Sequence, residues 1–394
     1  MNANLGPWLV ADAIALVACL AFSALGTGLC RSIAPKIGFV DKPATRKLHR
    51  SPVPLLGGAA IYASLATLVA LGYAAGSLWG EIPSRTESAW AALSRLMEAV
   101  DDHRFWLIAG GATVCVAVGL VDDRVGLSPF ARLAVQGSLS AAVVLLGVRP
   151  EYEFLPTPSL EILAMFWLVG VMNAFNLIDG ADGLAGGIAL IACITLGSIM
   201  LMGNQPAASL LLLALAGGLA GFLIHNFHPA RIFLGSSGSL LVGFLLGSTV
   251  LIASDGRFIE SPRIARLVIP LLTLAVPVYD TMTVVIIRLA SRSSIFRADN
   301  NHVHHRLMRK GFSHRTTVTI LWGISAVICA VSMITVLALT ERWMRVAVLA
   351  AGTIIPFLIL ELLPARMVAS SADSASETRH GTGSQRINPP TRER

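Results

Sequence analysis

Paired carboxylates are the first residues in this chain that could do chemistry. Asp122 and Asp123 stand side by side in Gly119-Leu120-Val121-Asp122-Asp123-Arg124, where an apolar run gives way to polar sequence. Two adjacent carboxylates on such a boundary can bind a hard cation such as Mg²⁺ or hold one raised pKa for base work; they can also simply end a helix. A denser set follows. Asn173, Asn176, Asp179 and Asp182 recur every three residues, which on a helix makes one drifting polar stripe. A carboxylate at the centre of a membrane span costs on the order of 2.5–3.5 kcal/mol, so these acids should face a wet cavity, a partner or a metal, or else form a polar seam between helices. Gly180 and Gly183 allow tight turning and close backbone approach.

Three more stretches carry polar groups of the right kind. Phe233-Leu234-Gly235-Ser236-Ser237-Gly238-Ser239 opens directly into an apolar run. Small residues before a helix leave backbone N–H groups free to cradle a phosphate, or they serve as an ordinary N-cap. Further on, Asn300, Asn301, His302, His304 and His305 lie among Arg297, Arg306, Arg309 and Lys310. A zinc cluster is one reading, but the cysteines are elsewhere and the surrounding cations oppose a metal; binding of phosphate groups is the better reading. Near the amino end, Asp41-Lys42-Pro43 through Arg46-Lys47-Leu48-His49 adds bases, followed by the pair Gly57-Gly58. Attraction to lipid headgroups alone would explain those bases, and the glycines would allow close helix or substrate approach.

The elements that must position these residues are set by composition. Hydrophobic residues make up 55% of the chain and charged ones 13%, against about a quarter charged in soluble proteins. Eleven apolar runs recur, at 7–30, 53–76, 104–121, 130–148, 159–178, 183–202, 207–225, 238–254, 265–290, 316–340 and 345–363. Each is near the roughly 20 residues that a bilayer core requires of a helix. The expected fold class is therefore all-α, a polytopic membrane protein with about eleven transmembrane helices. The first run lacks a preceding base and is followed by Arg31 and Lys36, so it reads as a retained span and not a cleaved signal. Residues 1–364 form the integral membrane domain, and 365–394, rich in Ser, Thr and Arg, read as a disordered cytoplasmic tail. The five cysteines lie in or at the ends of apolar runs with no close pair, which suits packing and suggests neither disulfides nor zinc.

With eleven spans the odd-numbered connections share one side, and that side holds Arg31, Lys36, Arg46, Lys47, Arg124, Arg132, Arg231 and the bases from Arg288 to Arg315. The positive-inside rule makes it cytoplasmic, with the amino terminus outside. The net charge of +7 then reads as topology and contact with anionic membrane lipids, nucleic acid being a poor second reading. All the polar clusters above fall on this one face, which points to a shared site. Transport sites usually sit near the midplane between broken helices; only Asp280 lies inside a run, and it reads as a buried structural acid more readily than as a proton carrier.

Taken together and in order, these motifs resemble the polyprenyl-phosphate N-acetylhexosamine-1-phosphate transferases, which include the bacterial enzymes that start O-antigen, enterobacterial common antigen and teichoic acid linkage units. The likeness rests on Val40-Asp41-Lys42-Pro43 with Arg46-Lys47-Leu48-His49, Asp122-Asp123-Arg124, Asn173 to Leu184, Ile232 to Ser239, Pro277-Val278-Tyr279-Asp280-Thr281, and Asn301-His302-Val303-His304-His305-Arg306. The histidine motif and eleven spans are more similar to the N-acetylglucosamine-1-phosphate branch than to the phospho-MurNAc-pentapeptide branch. The resemblance implies reversible transfer of HexNAc-1-phosphate, GlcNAc-1-phosphate first among them, from UDP-HexNAc to undecaprenyl phosphate. UMP would be released, with Mg²⁺, or Mn²⁺ in its place, as cofactor, at the cytoplasmic face of a bacterial inner membrane.

Carried over by motif, Asp122 and Asp123 would be the catalytic pair, Asp122 engaging and deprotonating the lipid phosphate with Asp123 beside it. Asp179 and Asp182 would hold the metal, Asn176, Asp182 and Phe233 the nucleotide, and His302, His304, His305, Arg306 and Lys47 the phosphates. One departure matters. The family loop ends in Gly-Asp-x-Gly-Ser, its Asp a Mg²⁺ ligand, whereas this chain has Ser236. A serine hydroxyl can coordinate Mg²⁺ but brings no negative charge. This leaves a second expectation open, a homologue that binds nucleotide-sugar or lipid phosphate with weak or no turnover. A homodimer likewise stays open beside a monomer.

Overall fold

In hydrocarbon every backbone N–H and C=O must be satisfied internally, so long runs apolar on all sides are expected to become helices. The computed structural model describes residues 5–43, 51–79, 103–150, 156–253, 268–269, 271–294, 301–338 and 342–364. Among these, the helices in chain order are α1 (Leu5–Ile33), α2 (Gly57–Trp79), α3 (His103–Val125), α4 (Pro129–Leu145), α5 (Thr157–Ile178), α6 (Leu184–Met202), α7 (Pro206–Asn226), α8 (Gly235–Ala253), α9 (Ala275–Ala290), α10 (Val303–Arg309), α11 (His314–Ala338) and α12 (Arg342–Leu362). Two strands of two residues each, β1 (Val40–Asp41) and β2 (Val53–Pro54), pair antiparallel ahead of α2.

The protein is an all-α, multi-pass membrane protein. Nine helices among the described residues are long and apolar enough to cross a membrane, and α4 is a shorter apolar helix. Every one of the eleven expected runs holds a helix, α9 beginning at Ala275 where the ninth run began at 265. The short α10 lies outside these runs, within the basic histidine segment. The proposed tail, 365–394, lies outside the described residues.

The core is central and helical. Helix α8 is the most enclosed, packed against α2, α3 and α5, while α7 lies between α1 and α6, and α11 packs on α6. Phe175, Phe222 and Phe244 are fully buried among them. Large apolar side chains such as Leu25, Phe166 and Leu362 point outward, as a surface solvated by lipid tails allows.

Two glycines bring the ends of α2 and α3 onto the start of α8. A Cβ at Gly119 would lie 2.2 Å from Ser237 Cα, and one at Gly58 would lie 2.1 Å from the Gly238 nitrogen. Both obstacles are backbone, which cannot swing aside. Gly119→Ala is therefore expected to force α3 off α8 and to destabilise the fold by about 1–3 kcal/mol, seen as a lower thermal midpoint in detergent. An unchanged midpoint would mean the two helices can separate freely, and that their contact does not set the geometry described next.

Candidate active site

Asp122 and Asp123 occupy the last turn of α3, and each is engaged. Asp123 accepts hydrogen bonds from the backbone N–H groups of Ser236 (2.7 Å) and Ser237 (3.2 Å), the first amides of α8. Asp122 is buried; Oδ1 accepts from Leu127 N at 2.8 Å, while Oδ2 accepts from Arg132 Nη1 at 3.1 Å and from Ser236 Oγ at 2.7 Å. Of the two readings of the glycine-serine segment, the structure therefore shows the capped helix start. The amides that could have cradled a phosphate are filled by a carboxylate from α3.

The polar stripe of α5 divides along its length. Asn173 donates to Gln136 Oε1 on α4 at 2.6 Å and so belongs to packing, whereas Asn176 donates to Ser239 Oγ on α8 at 3.0 Å. Asp179 follows the last residue of α5, and no hydrogen-bond donor among the described residues reaches its carboxylate. Enclosure by protein raises its pKa well above the carboxylate norm, and the charges of Asp123 and Asp182 push it further the same way. Asp182 accepts from His228 Nδ1 at 2.7 Å and from Ala230 N at 3.1 Å. Buried Asn226 ties these segments together, accepting from Gly183 N at 2.9 Å and donating to Ile232 O at 2.8 Å.

These groups surround a cavity of ≈ 690 Å³. Its walls include Asp122, Asp123, Asn176, Asp179 and Asp182 together with Phe233, Ser236 and His305, so eight of the site residues expected from sequence share one space. Phe233 is fixed by its backbone, its N–H donating to Pro54 O at 2.8 Å and its carbonyl accepting from Gly57 N at 3.1 Å. The first amides of α2 are thus satisfied by the segment that carries the aromatic ring.

The rest of the histidine segment is placed otherwise. Asp280, 1% exposed in α9, accepts from His302 Nδ1 at 2.7 Å and from Val303 N at 2.6 Å, docking α10. His304 is buried against Gly180, where an added Cβ would come within 2.7 Å of Nε2. Both its ring nitrogens lack partners among the described residues. Burial first, then His305, His302 and His314, lowers its pKa well below the imidazole norm, so it is neutral. Arg306 pairs with Glu361 at the end of α12. Of the four residues of that segment expected at the phosphates, His305 lines the cavity, while His302 and Arg306 are paired with Asp280 and Glu361 and His304 packs behind Gly180. Lys47 lies outside the described residues.

Residues 105–254, from α3 to the end of α8, match the model of glycosyl transferase family 4. A probable undecaprenyl-phosphate N-acetylglucosaminyl 1-phosphate transferase of Bacillus subtilis is 33% identical over 306 residues, which cover 76% of this chain and 77% of that protein. The chain belongs to this family. A decaprenyl-phosphate N-acetylglucosaminephosphotransferase of Mycolicibacterium smegmatis is 32% identical over 84% of this chain and 85% of its own. An undecaprenyl-phosphate alpha-N-acetylglucosaminyl 1-phosphate transferase of Escherichia coli K12 is 25% identical over 81% and 82%.

Asp41, from a motif already noted in the sequence, also lines the cavity. For this family 4 chain, sequence reasoning missed a second ring of partners on that wall: His228, His314 and Asn226. His228 and Asn226 flank the end of α7 in Asn226-Phe227-His228-Pro229, and His314 starts α11. The one signal for them was a polar residue at the end of an apolar run, the same signal that exposed Asp122.

The open carboxylate of Asp179 sets a pH dependence. Its folded-state pKa is raised, so the folded protein binds that proton more tightly than the unfolded chain does. Stability is lost as pH rises from the ordinary carboxylate range, and the loss is complete above the raised value. In metal-free detergent Asp179→Asn is expected to melt higher than wild type at pH 8, by about 2 °C or more, and to coincide with it in acid. A variant that melts lower at pH 8 would mean the carboxylate is held by a donor or cation and is not strained.

Proposed function

We propose that this protein transfers N-acetylhexosamine-1-phosphate, GlcNAc-1-phosphate in the first instance, from a UDP-sugar to undecaprenyl phosphate, the initiating step of a cell-envelope polysaccharide. The observation that carries the reading is the cavity in which the unpaired Asp179 stands between Asp123 and Asp182 with Phe233 on the wall. Relatives named for GlcNAc-1-phosphate transfer to polyprenyl phosphates support it. The cavity lies beside Lys42, Arg124 and Arg132, at the base-rich end of the helices, which supports a cytoplasmic face of the inner membrane.

In this reaction an oxygen of the lipid phosphate bonds to the sugar-bearing phosphorus, and the bond from that phosphorus to the bridging oxygen of UMP breaks. One phosphoanhydride replaces another, so the reaction is close to balanced and reversible. The nucleophile needs little help from a base, because a phosphate monoester loses its second proton at about pH 6. Asp122 is already held by three donors, and it acts by fixing the α3–α8 junction. Phe233 stacks on the uracil, Asn176 and His305 contact polar atoms of the donor, and neutral His304 fills the space behind Gly180.

A divalent cation fits these residues, since an enclosed carboxylate without donors beside two others calls for positive charge. Asp179 would hold it, with Asp182 and the lone pairs of Ser236 Oγ as further oxygens. Mg²⁺, or Mn²⁺ in its place, would neutralise charge on the phosphoryl oxygens. The binding-only alternative rests on Ser236 alone, while the carboxylates it would have to disable are present.

The test is UMP release and lipid-linked product from purified protein, undecaprenyl phosphate and a panel of UDP-sugars. UDP-GlcNAc is expected to lead; no product from any UDP-HexNAc at any Mg²⁺ or Mn²⁺ concentration would end the proposal. Phe233→Ala is expected to raise the KM for UDP-sugar roughly 10-fold with a smaller effect on the lipid, and an unchanged KM would make Phe233 a packing residue. Ser236→Asp should lower the Mg²⁺ concentration for half-maximal rate at saturating UDP-sugar, unless the loop is built around serine and the cation rests on Asp179 and Asp182 alone.

A further inference from the structure

Three donors, two of them histidines to which the transfer reaction gives no role, converge on one edge of the cavity. Asp182 comes from the turn between α5 and α6, His228 from the loop between α7 and α8, and His314 from the first position of α11. Their ligand atoms lie within 4.8 Å of one another. All three line the cavity. We propose that Asp182, His228 and His314 form a second divalent-cation site, partly nitrogen-ligated and octahedral, suited to Mn²⁺ or a neighbouring first-row ion and poorly suited to Mg²⁺.

The His228 and His314 imidazoles are neighbours, with centroids 4.2 Å apart and planes 21° from parallel, and side-chain rotation turns their in-plane lone pairs onto one ion. His228 Nδ1 and Asp182 Oδ2 are 2.7 Å apart, which is nearer the edge of an octahedron with bonds of about 2.1 Å (about 3.0 Å) than that of a tetrahedron (about 3.4 Å). The proton between them would leave when the ion enters.

Tautomer and charge agree with this assignment. The His314 ring hydrogen-bonds to the Asp182 backbone, yet its Nε2 is buried and has no partner among the described residues. That is the pattern of a metal-ligating histidine, one nitrogen fixed by a carbonyl and the other offering its lone pair. Arg315 opposes a cation here, but its guanidinium is turned to the His228 carbonyl at 3.1 Å. Asp179 stands on the other side with no donor of its own. Two imidazoles and one carboxylate leave three octahedral positions open toward the cavity, for water or phosphate oxygens. Imidazole favours first-row transition ions over Mg²⁺, which demands oxygen. Asp182 also serves the cation assigned to Asp179, and a carboxylate has two oxygens with which to bridge two ions. A second positive charge at this edge would make up for the one that neutral Ser236 fails to attract.

The test uses Mn²⁺ alone, added to the full chain in detergent without substrate, and reads the ion by electron paramagnetic resonance with electron spin-echo modulation. Wild type is expected to bind Mn²⁺ with nitrogen modulation from two imidazoles. His228→Asn and His314→Asn should each reduce this to one and weaken binding roughly 10–100-fold, while Asp179→Asn keeps both. The wild-type spectrum decides without any variant: oxygen-only coordination overturns the site. An unchanged nitrogen signal in both histidine variants overturns it equally. The outcome is separable from the transferase reading, because nitrogen-ligated Mn²⁺ without turnover would leave this site standing, and turnover with oxygen-ligated Mn²⁺ would remove it.

Discussion

The carboxylate of Asp123 set against the first amides of α8 is the interaction on which the remaining geometry depends. Helix α8 is enclosed by its neighbours, so its leading N–H groups cannot rely on water and must find acceptors in the protein. Asp123 supplies one from another helix, and an anion at a helix amino end is worth up to about 2 kcal/mol in partly buried settings. The bond fixes how far α3 has advanced along α8. It therefore also fixes Asp122 against Ser236, and Phe233 against the start of α2. Had Gly119 a side chain, the approach that makes the bond would be blocked.

Once that junction is set, most of the carboxylates at the site are committed to hydrogen bonds within the protein, and the one left open is informative. Asp122, Asp123 and Asp182 each accept at least two hydrogen bonds from the protein. Asp179 accepts none from the described residues and sits within the field of two of them. A like-charged group held without donors is unfavourable in the resting protein, and the fold retains it on the wall of a cavity. The excess negative charge is relieved when Asp179 takes up a proton, which its raised pKa favours.

The spans were legible because hydrocarbon imposes the same requirement on every one of them, and each apolar run became a helix. The stripe from Asn176 to Asp182 was legible as polar residues where an apolar run ends: Asn176 lies in the last turn of α5, Asp179 just past it and Asp182 in the turn that follows, while Asn173, a turn deeper, met Gln136 instead. The histidine segment was not legible in detail. Its basic composition suggested phosphate, but Asp280, read as a structural acid, takes His302 and the amide of Val303. Glu361 takes Arg306 from a helix at the far end of the chain. Such pairings are decided by tertiary packing, which local composition does not encode. His228 and His314 were missed for the same reason, since neither belongs to a cluster in sequence.

Ser236 can be understood from the same junction. Its hydroxyl donates to Asp122 and its amide to Asp123, so the residue at 236 stands within hydrogen-bond distance of two carboxylates. A third carboxylate there would lose the hydroxyl donor and add like charge to a partly buried pair, a combination that is stable only while a cation is bound. Serine removes that requirement, and the α3–α8 junction stands by neutral and charge-assisted hydrogen bonds alone. The α3–α8 contact is thereby held without a charged group at position 236, and Asp179 and Asp182 line the same cavity without taking part in it.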